Sequence, residues 1–188
     1  MIRVVLLSAS RGAGKTTACD KFVALAQQMG LRVGGILTPA CYDAQGLKVG
    51  IDAVDAHNGE RRAFAVVEQD PDRATIGQYR MDDLAMQWAL QRILIALRAP
   101  IDAVVIDEIG PLELVKKGGF RPALDQLASA EAMAAIIVVR PELLAQLQEM
   151  LEPFEPAMIA LSLSNRDEIP TRILGQIWGP EGAPQGES

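Results

Sequence analysis

Short apolar runs and stretches of helical periodicity alternate along most of this chain. Residues 2–7, Ile-Arg-Val-Val-Leu-Leu, are few and rich in Val, Ile and Leu, the texture of a strand covered on both faces of a parallel sheet. Ala18, Phe22, Leu25, Ala26 and Met29 then recur at the spacing that lines one face of a helix, and Gly30 stops it. A second strand begins in 31–38. From about 34 to 67 the texture changes: Asp43, Gly46 and Asn58-Gly59 punctuate runs in which apolar and polar residues alternate, as in 47–54. This predicts three antiparallel strands joined by tight turns, a hairpin excursion appended to an otherwise α/β chain.

Residues 66–81 are polar and irregular, and read as a loop, either near a ligand or merely connecting. Asp82 or Asp83 then N-caps a helix over 84–97 whose apolar residues cover much of its circumference, so that it is buried on more than one side or meets another subunit. Pro100 ends it, and 101–108 reads as an apolar strand ending in acids. A helix over 122–131, a strand at 134–139, a helix from Pro141 to about 151, a strand at 157–163 and a helix ending at Trp178 complete the pattern. Alternation of this kind predicts an α/β fold with a mostly parallel sheet and helices on both faces, one domain over 1–178. Residues 179–188, rich in Gly, Pro and acid, are expected to be a disordered tail.

Composition adds exclusions. The 188 residues, 49% hydrophobic and 22% charged, suffice for one full core. A net charge of -6 argues against a surface built for nucleic acid or an anionic membrane. Cys19 and Cys41 have neither metal nor redox spacing, which fits a reducing, cytoplasmic setting. The apolar start is too short for a signal sequence, and no run reaches membrane-spanning length. His57, the single histidine, falls beside the Asn58-Gly59 turn and reads as solvated.

The chemistry concentrates in two places. Ala9 to Thr16 fits the phosphate-loop (Walker A) pattern GxxxxGK[ST], with Ala9 in place of the first glycine, between a strand and a helix. Such a loop aims successive backbone N–H groups at a triphosphate, and the helix adds its own unpaired N–H groups and dipole. Ala9, Ser10, Arg11, Gly12, Ala13, Gly14, Lys15, Thr16 and Thr17 are therefore the expected nucleotide-binding residues, with Lys15 against the β- and γ-phosphates and the Thr16 hydroxyl a Mg²⁺ ligand. Arg11 either adds charge near the phosphates or points to solvent. The second place is the strand ending at Asp107-Glu108, a Walker B arrangement: Asp107 would hold Mg²⁺ through water, and Glu108 would orient and deprotonate an attacking water. Gly110 completes Asp-x-x-Gly, in which a glycine N–H senses the γ-phosphate. Arg140, at a strand end, reads either as a γ-phosphate contact or as a structural residue before Pro141. Asn165 and Arg166 follow the last strand, where a base would lie; Asn165 would hydrogen-bond it and Arg166 stack on it, or Asn165 or Asp167 would cap the last helix.

With these stretches in view, the chain resembles the THEP-type nucleoside-triphosphatase family. The resemblance rests on the phosphate loop, Gly34-Gly35 as a turn into the excursion, Ile76-Gly77-Gln78-Tyr79, the run from Asp107-Glu108-Ile109-Gly110 to Glu113-Leu114 with Phe120 beyond, and Asn165-Arg166-Asp167. It implies a three-layer, RecA-like P-loop domain that hydrolyses nucleoside 5′-triphosphates, ATP and GTP among them, to diphosphate and phosphate with Mg²⁺. The chain departs from the family at Ala9 and Arg11, where Gly and Pro are usual, at 115–117, where serine is usual at the middle position, and at Arg140, where a small polar residue is usual.

Two other functions compete with hydrolysis. A small-molecule kinase on the same fold would need a basic lid, for which Arg61-Arg62 and Arg73 to Arg80 are the candidates. A nucleotide-gated accessory to cofactor assembly would use the 84–97 helix or the excursion to meet a protein partner or a second copy.

Overall fold

A computed structural model describes residues 1–179. Among them, nine strands form one sheet in the order β6-β5-β4-β2-β7-β8-β1-β9, with β3 paired to β4. The parallel half comprises β1 (Arg3–Ser8), β2 (Val33–Leu37), β7 (Ala103–Ile109), β8 (Ala134–Val139) and β9 (Ala157–Ala160). Alternate side chains of these strands enter two separate cores, as period-2 geometry requires. Val5 and Leu7 of β1 face one layer, formed by α1 (Lys15–Gln28) and α6 (Ile169–Trp178). Val4 and Leu6 face the other, formed by α2 (Asp83–Arg98), α3 (Pro111–Leu114), α4 (Arg121–Asp125) and α5 (Pro141–Met150). The three-layer α/β architecture with a mostly parallel central sheet is as expected.

The antiparallel half is larger than the alternation suggested. Besides β3 (Ala40–Tyr42), β4 (Lys48–Asp55) and β5 (Arg61–Val67), the irregular stretch contributes β6 (Tyr79–Met81), which pairs with β5. Three residues are too few to show a period, so this strand exists through its partner rather than through its own pattern. Gly34 and Gly35 are not a turn either. Both are buried within β2, where Gly34 pairs with Val104 and Gly35 with Val105. At Gly35 φ is +98°, and a methyl there would overlap the Val105 carbonyl oxygen and lie 2.7 Å from its nitrogen.

Three helical expectations also change. The 122–131 helix is short: α4 ends at Asp125, and a tight 3-10 turn at Leu127–Ser129 keeps Leu127 inward while swinging the chain toward β8. Helix α2 is N-capped by Asp82, whose carboxylate accepts the Ala85 N–H at 2.7 Å, and it buries Ala85, Ala89, Ile93, Leu94, Ala96 and Leu97. Leu84 and Ile95 stand outside, 75% and 55% exposed, so its apolar circumference is only partly covered. The last helix has Glu168 at its N-cap with no side-chain cap, so neither Asn165 nor Asp167 serves there. The expected disordered tail, 179–188, lies outside the described residues apart from Gly179.

Among the described residues no helix is long and apolar enough to cross a membrane. Gly35→Ala is expected to destabilise the protein by about 2–3 kcal/mol, through forced backbone displacement and a positive φ. Gly175→Ala, inside α6 with open space around the new methyl, is expected to stabilise it by about 0.5–1 kcal/mol; urea unfolding of both variants checks the pair.

Candidate active site

In a parallel sheet all strands end on one edge, and the sheet order decides who meets whom there. Across that edge the order β2-β7-β8-β1-β9 sets Thr38, then Asp107 and Glu108, then Arg140, then the loop after Ser8, then the turn carrying Asn165 and Arg166.

The loop from Ala9 to Gly14 turns on Gly12 and Gly14, at φ +79° and +99°, and leads into α1 with Gly14 as its N-cap. The first intrahelical bond runs from the Ala18 N–H to the Gly14 carbonyl at 2.9 Å. The N–H groups of Lys15, Thr16 and Thr17 thus lack helical acceptors and face an incoming anion. Lys15 is 7% exposed. Its Nζ donates to the carbonyls of Ala9 at 2.8 Å and Ser10 at 3.2 Å, and lies 3.3 Å from Glu108 Oε2. An ammonium has three protons, and here each has an acceptor from the protein itself.

Asp107, at the end of β7, is 1% exposed. Its Oδ2 accepts the Thr38 N–H at 3.0 Å, and the Thr16 and Thr38 side chains lie close enough to favour its charged form. Burial pushes its carboxyl above the usual range against those stabilising neighbours. Oδ1 is buried without a hydrogen-bond partner. The set around it, one carboxylate and one threonine hydroxyl on rigid elements, consists of hard oxygens and leaves coordination open, as Mg²⁺ with its waters and phosphate oxygens requires. The residues present therefore fit that ion.

Glu108 is the next residue across a cis peptide. Its carboxylate bridges two cations, with Oε2 toward Lys15 and Oε1 3.0 Å from Arg140 Nε. Arg140 is the first residue beyond β8 and N-cap of α5, and it also reaches Glu142 at 3.4 Å. Of its two expected roles, the structure brings the guanidinium to the site, although its contacts here are with carboxylates. Gly110 behaves differently from its expected role. Its N–H donates to Glu113 Oε2 at 2.8 Å, and Glu113 Oε1 accepts the Phe120 N–H at 3.1 Å. The N–H proposed to sense a phosphate is thus already engaged. Burial raises the Glu113 carboxyl, opposed by those two N–H bonds.

On the other flank, Arg166 joins Gly14, Thr17, Ala18 and Lys21 around a cleft of about 200 Å³. This is room for part of a nucleotide rather than all of it. Asn165 is committed to its own turn: its Oδ1 accepts the Ser162 N–H at 2.8 Å and its amide nitrogen donates to the Ala160 carbonyl at 3.0 Å. Contact between Asn165 and a base would require that turn to open. Asp167 pairs with Lys21 at 2.7 Å, which holds its carboxyl below the usual range. Arg11 neither reaches inward nor stands free in solvent. Its Nη2 donates to the Tyr79 hydroxyl of β6 at 3.0 Å, and Lys48 Nζ lies 5.0 Å from the centre of the same ring.

Sequence reasoning gave no role to Thr38, Glu113, Lys21 or Tyr79. Only Glu113 carried a local signal, since Gly110-x-x-Glu113 has the spacing of a capping box. Cys19 is buried in α1, and burial holds its thiol well above its ordinary value, so it is no thiolate nucleophile.

The chain matches the NTPase family over residues 4–174. The nucleoside-triphosphatase THEP1 of Methanopyrus kandleri is 31% identical over 176 residues, 92% of this chain and 94% of that protein. A solved human cancer-related nucleoside triphosphatase superposes with a TM-score of 0.76 at 24% identity, covering 95% of this chain and 98% of the other. THEP1 from the hyperthermophile Aquifex aeolicus superposes at 0.67 with 20% identity, covering 93% and 99%. Agreement along nearly the full length, with a phosphate loop facing an acidic strand tip, makes this chain a member of the NTPase family that includes the THEP1 nucleoside-triphosphatases.

Proposed function

We propose that the protein hydrolyses nucleoside 5′-triphosphates to diphosphate and phosphate in a Mg²⁺-dependent reaction, with ATP and GTP among its substrates. The observation that carries this reading is the meeting of the two charged stretches: Lys15 lies 3.3 Å from Glu108, and Thr16 stands beside the buried Asp107 carboxylate. The backbone N–H groups of the loop and of the first turn of α1 bind the phosphate chain, and Lys15 sets a positive charge against its β- and γ-groups. Thr16 and, through water, Asp107 hold the metal, which when bound neutralises charge developing on the phosphate oxygens. Glu108 orients a water in line with the γ-phosphorus and takes its proton. The water oxygen forms the new P–O bond while the bond to the β–γ bridging oxygen breaks, and the diphosphate leaves with that electron pair.

The flanking cleft offers Thr17, Lys21 and Arg166 as its polar side chains, a set that suits acceptance of several triphosphates. The kinase reading loses its lid. Arg61 pairs with Asp52, Arg62 with Glu60, Arg73 with Asp70 and Arg80 with Glu68, so each candidate arginine already has a carboxylate partner of its own. Contact with a protein partner or a second copy through α2 would rest on Leu84 and Ile95 alone, a sparse surface.

Glu108→Gln is expected to lower phosphate release by about 10²- to 10⁴-fold while a fluorescent ATP analogue binds with unchanged affinity; normal turnover in this variant would remove Glu108 from the mechanism. In a panel of ATP, GTP, CTP and UTP without any acceptor, release is expected from each and is expected to stop with EDTA. Asp107→Asn should raise the Mg²⁺ concentration for half-maximal rate by about tenfold or more. Release that appears only when a phosphoryl acceptor is added would restore the kinase reading.

A further inference from the structure

Arg140 enters the site by topology, because β8 lies between β1 and β7 in the sheet. Its guanidinium stands on the far side of Glu108 from Lys15, so one carboxylate separates two cations at 3.3 and 3.0 Å. The two contacts are not equivalent. All three Lys15 protons are in use, and the one directed at Glu108 spans the longest of the three distances. The other two acceptors are backbone carbonyls of the loop, which cannot move away independently. A triphosphate that draws Lys15 to its β- and γ-oxygens therefore takes the proton that Glu108 had.

At that moment the Glu108 carboxylate loses a counter-charge just as a polyanion arrives beside it. In a partly water-excluded site, repulsion would turn it away from the water it must orient. Arg140 can prevent this. The guanidinium is permanently charged and its fork geometry suits a carboxylate. Nε is buried and lacks a well-aligned acceptor even though Glu108 Oε1 is only 3.0 Å off, so a small rotation would improve that bond.

We infer that Arg140 is a positioning residue for Glu108: as nucleotide draws the Lys15 amine to its phosphates, Arg140 becomes the carboxylate's remaining counter-ion and holds it toward the attacking water. This rests on the reading of Glu108 as the group that activates water. It assigns Arg140 no contact with phosphate.

Arg140→Ala should lower kcat by about 10- to 100-fold with KM and the affinity for a fluorescent ATP analogue changed by less than about twofold, and thermal unfolding should be little altered because the residue is a third exposed. Arg140→Lys, and guanidinium ion added to Arg140→Ala at sub-denaturing concentration, should each restore part of the rate. In single turnovers of labelled ATP, Glu108→Gln with Arg140→Ala should be no slower than Glu108→Gln alone, since a positioning residue has nothing left to position. The inference is overturned by unchanged kcat in Arg140→Ala, by a loss carried in KM, by an additive double variant, or by failure of both lysine and guanidinium to restore activity. Glu108→Gln turning over normally would instead overturn the underlying role of Glu108, so the two failures are distinguishable.

Discussion

Two charges kept almost out of water at one sheet edge govern this structure. Lys15 and Asp107 are 7% and 1% exposed, and a buried charge without compensation is among the costlier features a fold can carry. The chain compensates each locally and incompletely: Lys15 by two loop carbonyls and Glu108, Asp107 by the Thr38 N–H with one oxygen left over. A cation and an anion held this way are matched to a ligand that brings both signs, a polyphosphate with its metal.

The two cores exist to hold that edge still. Because β1, β7 and β8 are fully covered by α1 and α6 on one face and by α2 and α5 among others on the opposite face, their ends cannot slide relative to one another without exposing apolar surface. Behind the edge, Glu113 fastens the chain that leaves β7 by accepting the Gly110 and Phe120 N–H groups. Phe120 in turn stacks on Phe64, ring centres 5.9 Å apart, which ties that chain to the antiparallel half of the sheet.

What could be read from the sequence was what is local in it. The phosphate loop and the acids ending β7 are contiguous runs whose chemistry is written in spacing, and both lie where the pattern put them. Most strands and helices follow from periodicity for the same reason. What escaped depends on neighbours far along the chain. Arg140 could be placed at a strand end but not beside Glu108, because that requires knowing that β8 lies between β1 and β7. Tyr79 belongs to a strand three residues long, and its bond to Arg11 spans 68 positions. The bonds that tie Asn165 to Ser162 and Ala160 are not legible in the sequence, because a polar side chain near a nucleotide site can equally well satisfy its own turn. The Gly110 N–H, expected to meet a phosphate, donates in this structure to the carboxylate three residues on.

The bond between Arg11 and Tyr79 makes the excursion a listener to the loop. Arg11 is the sole described side chain joining the two by a hydrogen bond to that phenol, and a nucleotide that recruits its charge would have to break that bond. Whatever that bond costs nucleotide binding, binding costs the bond in equal measure, by thermodynamic necessity.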